Sequence, residues 1–113
     1  MEKTHLHISE NGIVHNIPYC KIRRLQAKRS YCLIYLDEWE VDFLLVPKDM
    51  KEVVEGELNN AERFVKIHRS HTINLEKVKH YHKSKRKVEL SNGELLPVSD
   101  GQRTLFIEAF KQF

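Results

Sequence analysis

Apolar and polar residues alternate in short runs along most of the chain, with turn-forming pairs between the runs, which is the pattern of antiparallel strands. Asn11-Gly12 parts Leu6-His7-Ile8 from Ile13-Val14, and this dipeptide is a strong hairpin signal because both residues tolerate positive φ. Residues 22–27 and 31–36 read as two further strands, rich in Ile, Leu and Tyr and separated by the polar bend Lys28-Arg29-Ser30. A fifth strand is expected over 40–46, after the turn-like Asp37-Glu38. Pro47 then suits the first position of a helix, where a missing N–H costs nothing. Met50, Val53, Val54, Leu58 and Ala61 fall on one stripe at helical spacing, and Lys51, Glu52, Glu55 and Asn59 face elsewhere. The segment therefore predicts an amphipathic helix, slightly weakened by Gly56.

Beyond Arg63 short apolar units return at 64–67, 72–73, 78–82 and 88–90, and Asn92-Gly93 joins the last of them to 95–98 as another hairpin. Ser99 and Gln102 have the form of a capping box, followed by an apolar stripe of Leu105, Phe106, Ala109, Phe110 and Phe113. The expected fold is mainly β, with antiparallel sheets, one amphipathic mid-chain helix and a short C-terminal helix covering the sheet. No repeat, low-complexity run or Pro/Gly/Ser linker interrupts the 113 residues. One core typically serves about 100 to 150 residues, so residues 1–113 are expected to form a single domain.

Composition changes this picture in shape and compartment. A hydrophobic share of 41% with 31% charged residues implies a thin core and an elongated form. No run approaches the roughly 20 apolar residues that cross a bilayer, and the start lacks the apolar segment of a secretory signal. A soluble, cytoplasmic protein is expected. Cys20 and Cys32 share no C-x-x-C spacing and lie in apolar runs, so they read as free buried thiols.

The net charge of +3 is weak evidence of any partner, but its distribution carries more information. Lys21, Arg23, Arg24, Lys28 and Arg29 form one basic cluster; Lys77, Lys79, Lys83, Lys85, Arg86 and Lys87 form another; acids gather between Asp37 and Glu62. Such separation would give a bipolar molecule with one face suited to phosphate.

The run Phe64-Val65-Lys66-Ile67-His68-Arg69-Ser70-His71-Thr72-Ile73-Asn74-Leu75 resembles the core signature of the LytTR family, F-x-R-I-H-R-S-Y-x-V-N-L. Val78 and Tyr81 follow where that family has an apolar residue and an aromatic. Residues 88–99, Val-Glu-Leu-Ser-Asn-Gly-Glu-Leu-Leu-Pro-Val-Ser, resemble its V-x-L-x-x-G-x-x-L-P-V-S ending. Upstream, residues 22–31 are similar to the I-x-Y-I-E-A strand pair, with Arg24 and Gln26 in place of the usual Tyr and Glu. The resemblance spans nearly the whole chain. It implies an elongated arrangement of antiparallel sheets that binds bacterial promoter DNA, with loops instead of a recognition helix in the major groove of repeated half-sites. It also implies the output domain of a two-component response regulator, or a stand-alone regulator of transcription.

Each candidate residue has a bland reading beside the functional one. Arg69 could fork onto guanine O6 and N7 or clamp a phosphate, while His68 and Ser70 could touch the DNA or merely tie the turn through side-chain to backbone bonds. Lys28, Arg29 and Ser30 form a loop tip that corresponds to a groove-reaching loop of the family, or else a solvated bend. Lys83, Lys85 and Arg86 suit phosphate tracking, although strand alternation would put Val78, His80 and His82 on one packing face. After Ser99 many family members carry an arginine, and here Asp100 stands instead. Asp100 would then favour the positive end of the helix, and Gln102 or Arg103 would take over the DNA contact.

Seven histidines raise zinc, through His5 with His7 and His80 with His82, but there is no H-E-x-x-H and no cysteine-rich ligand set. No phosphate-binding glycine loop or nucleophile elbow occurs either, so the expectation is a protein that is not an enzyme and takes no metal, cofactor or small-molecule substrate. The expected partner is double-stranded DNA at direct-repeat half-sites, bound by a homodimer, with no membrane. The alternative is a β-rich adaptor whose basic face meets RNA or an acidic protein.

Overall fold

The computed structural model describes residues 3–113. Strands β1 (His5–Glu10) and β2 (Ile13–Pro18) pair as a hairpin across Asn11-Gly12, whose φ values of 53° and 75° are those the turn requires. A 3-10 turn (Tyr19–Lys21) leads into β3 (Ile22–Lys28), β4 (Tyr31–Leu36) and β5 (Phe43–Val46). Helix α1 (Met50–Glu52) runs on as a π-helical turn (Val53–Glu57), and β6 (Phe64–His68) and β7 (His71–Asn74) follow. A second 3-10 turn (Leu75–Lys77) precedes β8 (Val78–His82), β9 (Lys87–Leu90), β10 (Leu95–Pro97) and helix α2 (Asp100–Gln112). The fold is mainly β, and every strand pairing is antiparallel: a five-stranded sheet in the order β5-β4-β3-β7-β6, a three-stranded sheet β10-β9-β8, and the β1-β2 hairpin. The molecule measures 44 × 32 × 24 Å.

Two apolar clusters replace the one thin core that composition implies. The first gathers Leu6, Ile8 and Ile17 of the hairpin with Leu25, Ile34, Leu44 and Val46 of the large sheet and Met50, Val53 and Leu58 of the α1 segment. The second joins Ile67 and Ile73 to Val88, Leu90, Leu96 and Val98 of the small sheet and Phe106 of α2. Strand β6 contributes to both, through Phe64 in the first and Ile67 in the second, and β7 to the second through Ile73. Each Leu, Ile or Val fully buried here contributes about 1.5 to 3 kcal/mol, so these strands are held firmly while the turns they emit stay exposed.

Asn74, fully buried, fixes the exit from β7. Its Nδ2 donates to the carbonyls of Tyr19 at 3.1 Å and Ile22 at 2.8 Å, and its Oδ1 accepts from the Glu76 N–H at 3.0 Å. One amide thereby ties both 3-10 turns together. The asparagine of the sequence motif is a structural residue.

Several local expectations are corrected. Strand β5 begins at Phe43, because residues 37–42 form a bent connection in which Glu38 has φ 51°. Pro47 does not open the helix: Asp49 caps it, accepting from the Glu52 N–H at 2.8 Å. The Ser99 side chain forms no cap on α2, since its Oγ donates to the Ile67 carbonyl at 3.4 Å. Along α2, Leu105 and Phe113 are exposed and Ile107 packs with Phe106, Ala109 and Phe110 instead. Cys20 is exposed on its 3-10 turn, whereas Cys32 is buried and burial pushes its thiol up to about 12. A bulge between Val78 and His80 breaks the alternation of β8, so Val78 and Tyr81 pack into the second core while His80 lies exposed.

Candidate nucleic-acid interface

Four turns or termini named by the sequence lie side by side, linked by backbone hydrogen bonds. Ala27, at the end of β3, donates its N–H to the Ser70 carbonyl at 2.9 Å, which joins the β3-β4 turn to the β6-β7 turn. Ser99 donates to the Ile67 carbonyl at 2.8 Å, which sets the start of α2 beside the β6-β7 turn. Val98 donates to the Arg86 carbonyl at 2.9 Å, which brings in the β8-β9 turn. Residues far apart in sequence therefore converge on one end of the molecule.

At the β3-β4 turn Lys28, Arg29 and Ser30 are all exposed, and Arg29 adopts φ 59°. Arg86 on the β8-β9 turn adopts φ 53°. A side chain in this left-handed region costs about 1 to 2 kcal/mol, and asparagine or glycine would relieve it, so two arginines here are strained by choice of residue.

In the β6-β7 turn the Nδ1 of His68 accepts the Ser70 N–H at 3.0 Å. The bond closes the turn from inside and leaves Arg69 exposed at its tip. His68 and Ser70 act here as ties, His68 by its ring and Ser70 by its backbone. The His71 ring lies 5.4 Å from that of His68, and burial, aided by the Arg24 charge, lowers its pKa.

Lys83 and Lys85 are exposed on the β8-β9 turn. Arg86 there pairs with the Asp100 carboxylate, so the acid at the start of α2 neutralises one cation of the group. Gln102 is half-buried, its N–H donating to the Ser99 carbonyl at 3.0 Å, and Arg103 is exposed. Among the described residues Lys28, Arg29, Arg69, Lys83, Lys85 and Arg103 have no carboxylate within 4.0 Å.

The rest of the two basic clusters behaves differently, and the bipolar separation does not survive folding. Lys21 pairs with Glu38 at 3.0 Å, Arg23 with Asp37 at 2.5 Å and Glu94 at 2.6 Å, Arg24 with Glu94 at 2.8 Å, and Lys77 with Asp37 at 3.1 Å. Arg24 is 6% exposed, lies 3.8 Å above the Tyr35 ring and donates to Gln26 at 2.9 Å. Burial alone would raise the Glu94 carboxyl, but hydrogen bonds from Arg24, Asn92 and Arg23 override it and hold the group at about 2. Glu94 comes from the β9-β10 turn, so this cluster fastens the small sheet to β3 of the large one.

Sequence reasoning passed over Lys51 and Lys66. Both are exposed without a carboxylate within 4.0 Å, and both line a groove that also contains Arg69. The available signal was the polar Lys66 between Val65 and Ile67, which alternation alone assigns to a solvated face.

An antiparallel β scaffold that gathers unpaired cations from several turns at one end defines a class: a nucleic-acid-binding module. The sequence profile of the LytTr DNA-binding domain matches residues 13–111, and the chain belongs to the LytTR family. Its fold is similar to that of a solved LytTr DNA-binding domain, from a Bacillus cereus protein described as a methyl-accepting/DNA response regulator. That likeness has TM-score 0.75 at 20% identity and covers 96% of this chain and 97% of the other. No curated protein sequence matches the chain.

Proposed function

We propose that this chain is one DNA-binding unit of a bacterial transcription regulator, the output of a two-component response regulator or a stand-alone regulator, acting in the cytoplasm. Arg69 reads a base in the major groove, and Arg29 assists it from the neighbouring turn. Lys28, Lys83 and Lys85 hold phosphates, with Ser30 and Arg103 as further contacts and Gln102 at the edge. Arg86 joins them when DNA draws it away from Asp100. His68 and Ser70 hold the Arg69 turn in shape and touch DNA only through it. The module positions itself on DNA and catalyses nothing.

One observation carries this reading: the backbone bonds from Ala27 to Ser70, Ser99 to Ile67 and Val98 to Arg86 bring the turns together, and the cations they carry, apart from Arg86 with its Asp100 partner, lack acid partners. Neutralising phosphates releases condensed counterions, so affinity must fall steeply as salt rises. A module this small makes few base contacts, and useful affinity comes from two copies on direct-repeat half-sites, each raising the other's effective concentration.

The test is selection of bound sequences from random duplexes, followed by electrophoretic shifts across a salt series. A recovered pair of repeats and a steep salt slope are expected. Arg69→Ala should cost about 1 to 3 kcal/mol at the selected site and relax preference at one position. Equal binding to all duplexes, or preference for RNA or an acidic protein, would overturn the reading.

A further inference from the structure

A groove of about 440 Å³ runs between the α1 segment and the face of the large sheet that carries Lys66 and Thr72, and it opens at the Arg69 turn. Its floor is apolar: Met50 is buried, Val54 and Ala27 are half-buried, and the Thr72 hydroxyl donates to the Met50 sulfur at 3.4 Å. Lys66 stands opposite Thr72 in the β6-β7 register, so its side chain rises from the same face. Lys51 faces it from α1, and neither lysine has a carboxylate within 4.0 Å. Arg69 lines the groove as well.

Resting on the DNA-binding reading above, we infer that this groove takes the sugar-phosphate strand flanking the base pair that Arg69 reads, with Lys51 and Lys66 as its phosphate contacts. The argument is one of chemistry and continuity. A phosphodiester strand presents a row of anions on apolar deoxyribose, and the groove presents unpaired cations over an apolar floor. A strand lying between the β3-β4 and β6-β7 tips enters it directly, because Ala27, near the end of β3, and Arg69, in the β6-β7 turn, both line the groove. Two carboxylates also stand on the rim. Asp49 is engaged in capping α1, accepting the Glu52 N–H at 2.8 Å, whereas Glu55 has no cationic partner and repels the strand. Glu55 therefore limits affinity at this wall, and removing its charge must act opposite to removing a lysine.

The experiment compares the full chain, its Lys51→Gln/Lys66→Gln variant and its Glu55→Gln variant on the selected duplex and on a scrambled one, across a salt series. The lysine variant is expected to lose affinity equally on both duplexes, with the magnitude of the log-log salt slope falling by about two, near one per lysine. Glu55→Gln is expected to tighten binding on both by about twofold to threefold, a small electrostatic gain at an exposed rim. All three proteins should share one urea midpoint, since the changed residues are exposed. Should the lysine variant lose stability, the Glu55→Gln arm decides alone, because a fold defect cannot tighten binding. An unchanged slope in the lysine variant, a loss confined to the selected duplex, or no gain from Glu55→Gln would overturn the inference. If the unaltered chain binds no duplex in a salt-dependent way, the DNA-binding reading fails first.

Discussion

The two ends of the β3 strand carry the same residue types to opposite purposes. Near its start, Arg23 and Arg24 lie against Asp37 and Glu94, half-buried or buried, and fasten the small sheet to the large one. At its finish, Lys28 and Arg29 stand in solvent with no acid in reach, a few residues along the same strand. The comparison teaches that a cation's role is decided by whether a carboxylate meets it in space. Desolvating a charge is costly unless it is paired, so the paired arginines became structure. The unpaired ones keep their field for a ligand.

The largest way to break this comparison is at the paired end. Arg24→Met should destabilise the fold by about 3 kcal/mol, because it leaves Glu94 with one of its two arginines in a partly buried position. Urea denaturation reads that loss, and Arg69→Ala in parallel should move the midpoint by less than about 0.5 kcal/mol. If both changes cost the same stability, the division between structural and binding cations is wrong.

Acid should act at the same end. The folded Glu94 carboxyl sits at about 2 against an ordinary 4.5, so its contribution is fully present above pH 4.5 and is lost as pH falls toward 2. We expect about 2 kcal/mol of stability to disappear over that window after allowing for the partial exposure of the group, and Glu94→Gln to flatten the curve. The lowered His71 pKa adds a milder loss that begins as pH drops below 6.5, since the unfolded chain takes up that proton first. Thermal melts from pH 7 to pH 2 check both, and a profile unaltered by Glu94→Gln would remove the cluster from the fold's support.

At the unpaired end the sign reverses. Arg29→Gly should stabilise the chain by about 1 kcal/mol by relieving the left-handed backbone, yet weaken DNA binding. Stability and affinity moving together would show that Arg29 serves only the turn. The smallest effect belongs to the Arg86–Asp100 pair, which is exposed on both sides. Asp100→Asn should free Arg86 and tighten binding by about 0.5 kcal/mol, the scale of a surface ion pair. Weaker binding after that change would mean that the pair positions the β8-β9 turn for DNA.

Strand content and both Asn-Gly hairpins were legible because alternation and turn chemistry are local, and β3, β4 and β6 to β10 lie close to where the pattern put them. The misplacements share a cause, which is that a side chain found a distant partner. Ser99 was read as a cap and instead reaches the Ile67 carbonyl; Leu105 belongs to the helical stripe by spacing and lies outside it because Phe106 and Ile107 meet the second core. Within the candidate site, Arg69 at a turn tip could be read from the motif. The groove beside it, with Lys51 and Lys66, could not be, since its walls are separated by the chain from α1 to β6.

The sequence by itself determined an antiparallel β protein with basic turns, and through its motif the family, because alternation, turn dipeptides and short signatures depend on neighbours along the chain. Only the tertiary structure decided which cations remain unpaired, that Asn74 is an internal tie, and that three separated turns and the start of α2 share one end. Charge pairing and desolvation act through distances in space, and a chain written in one dimension does not specify which carboxylate will arrive beside which arginine.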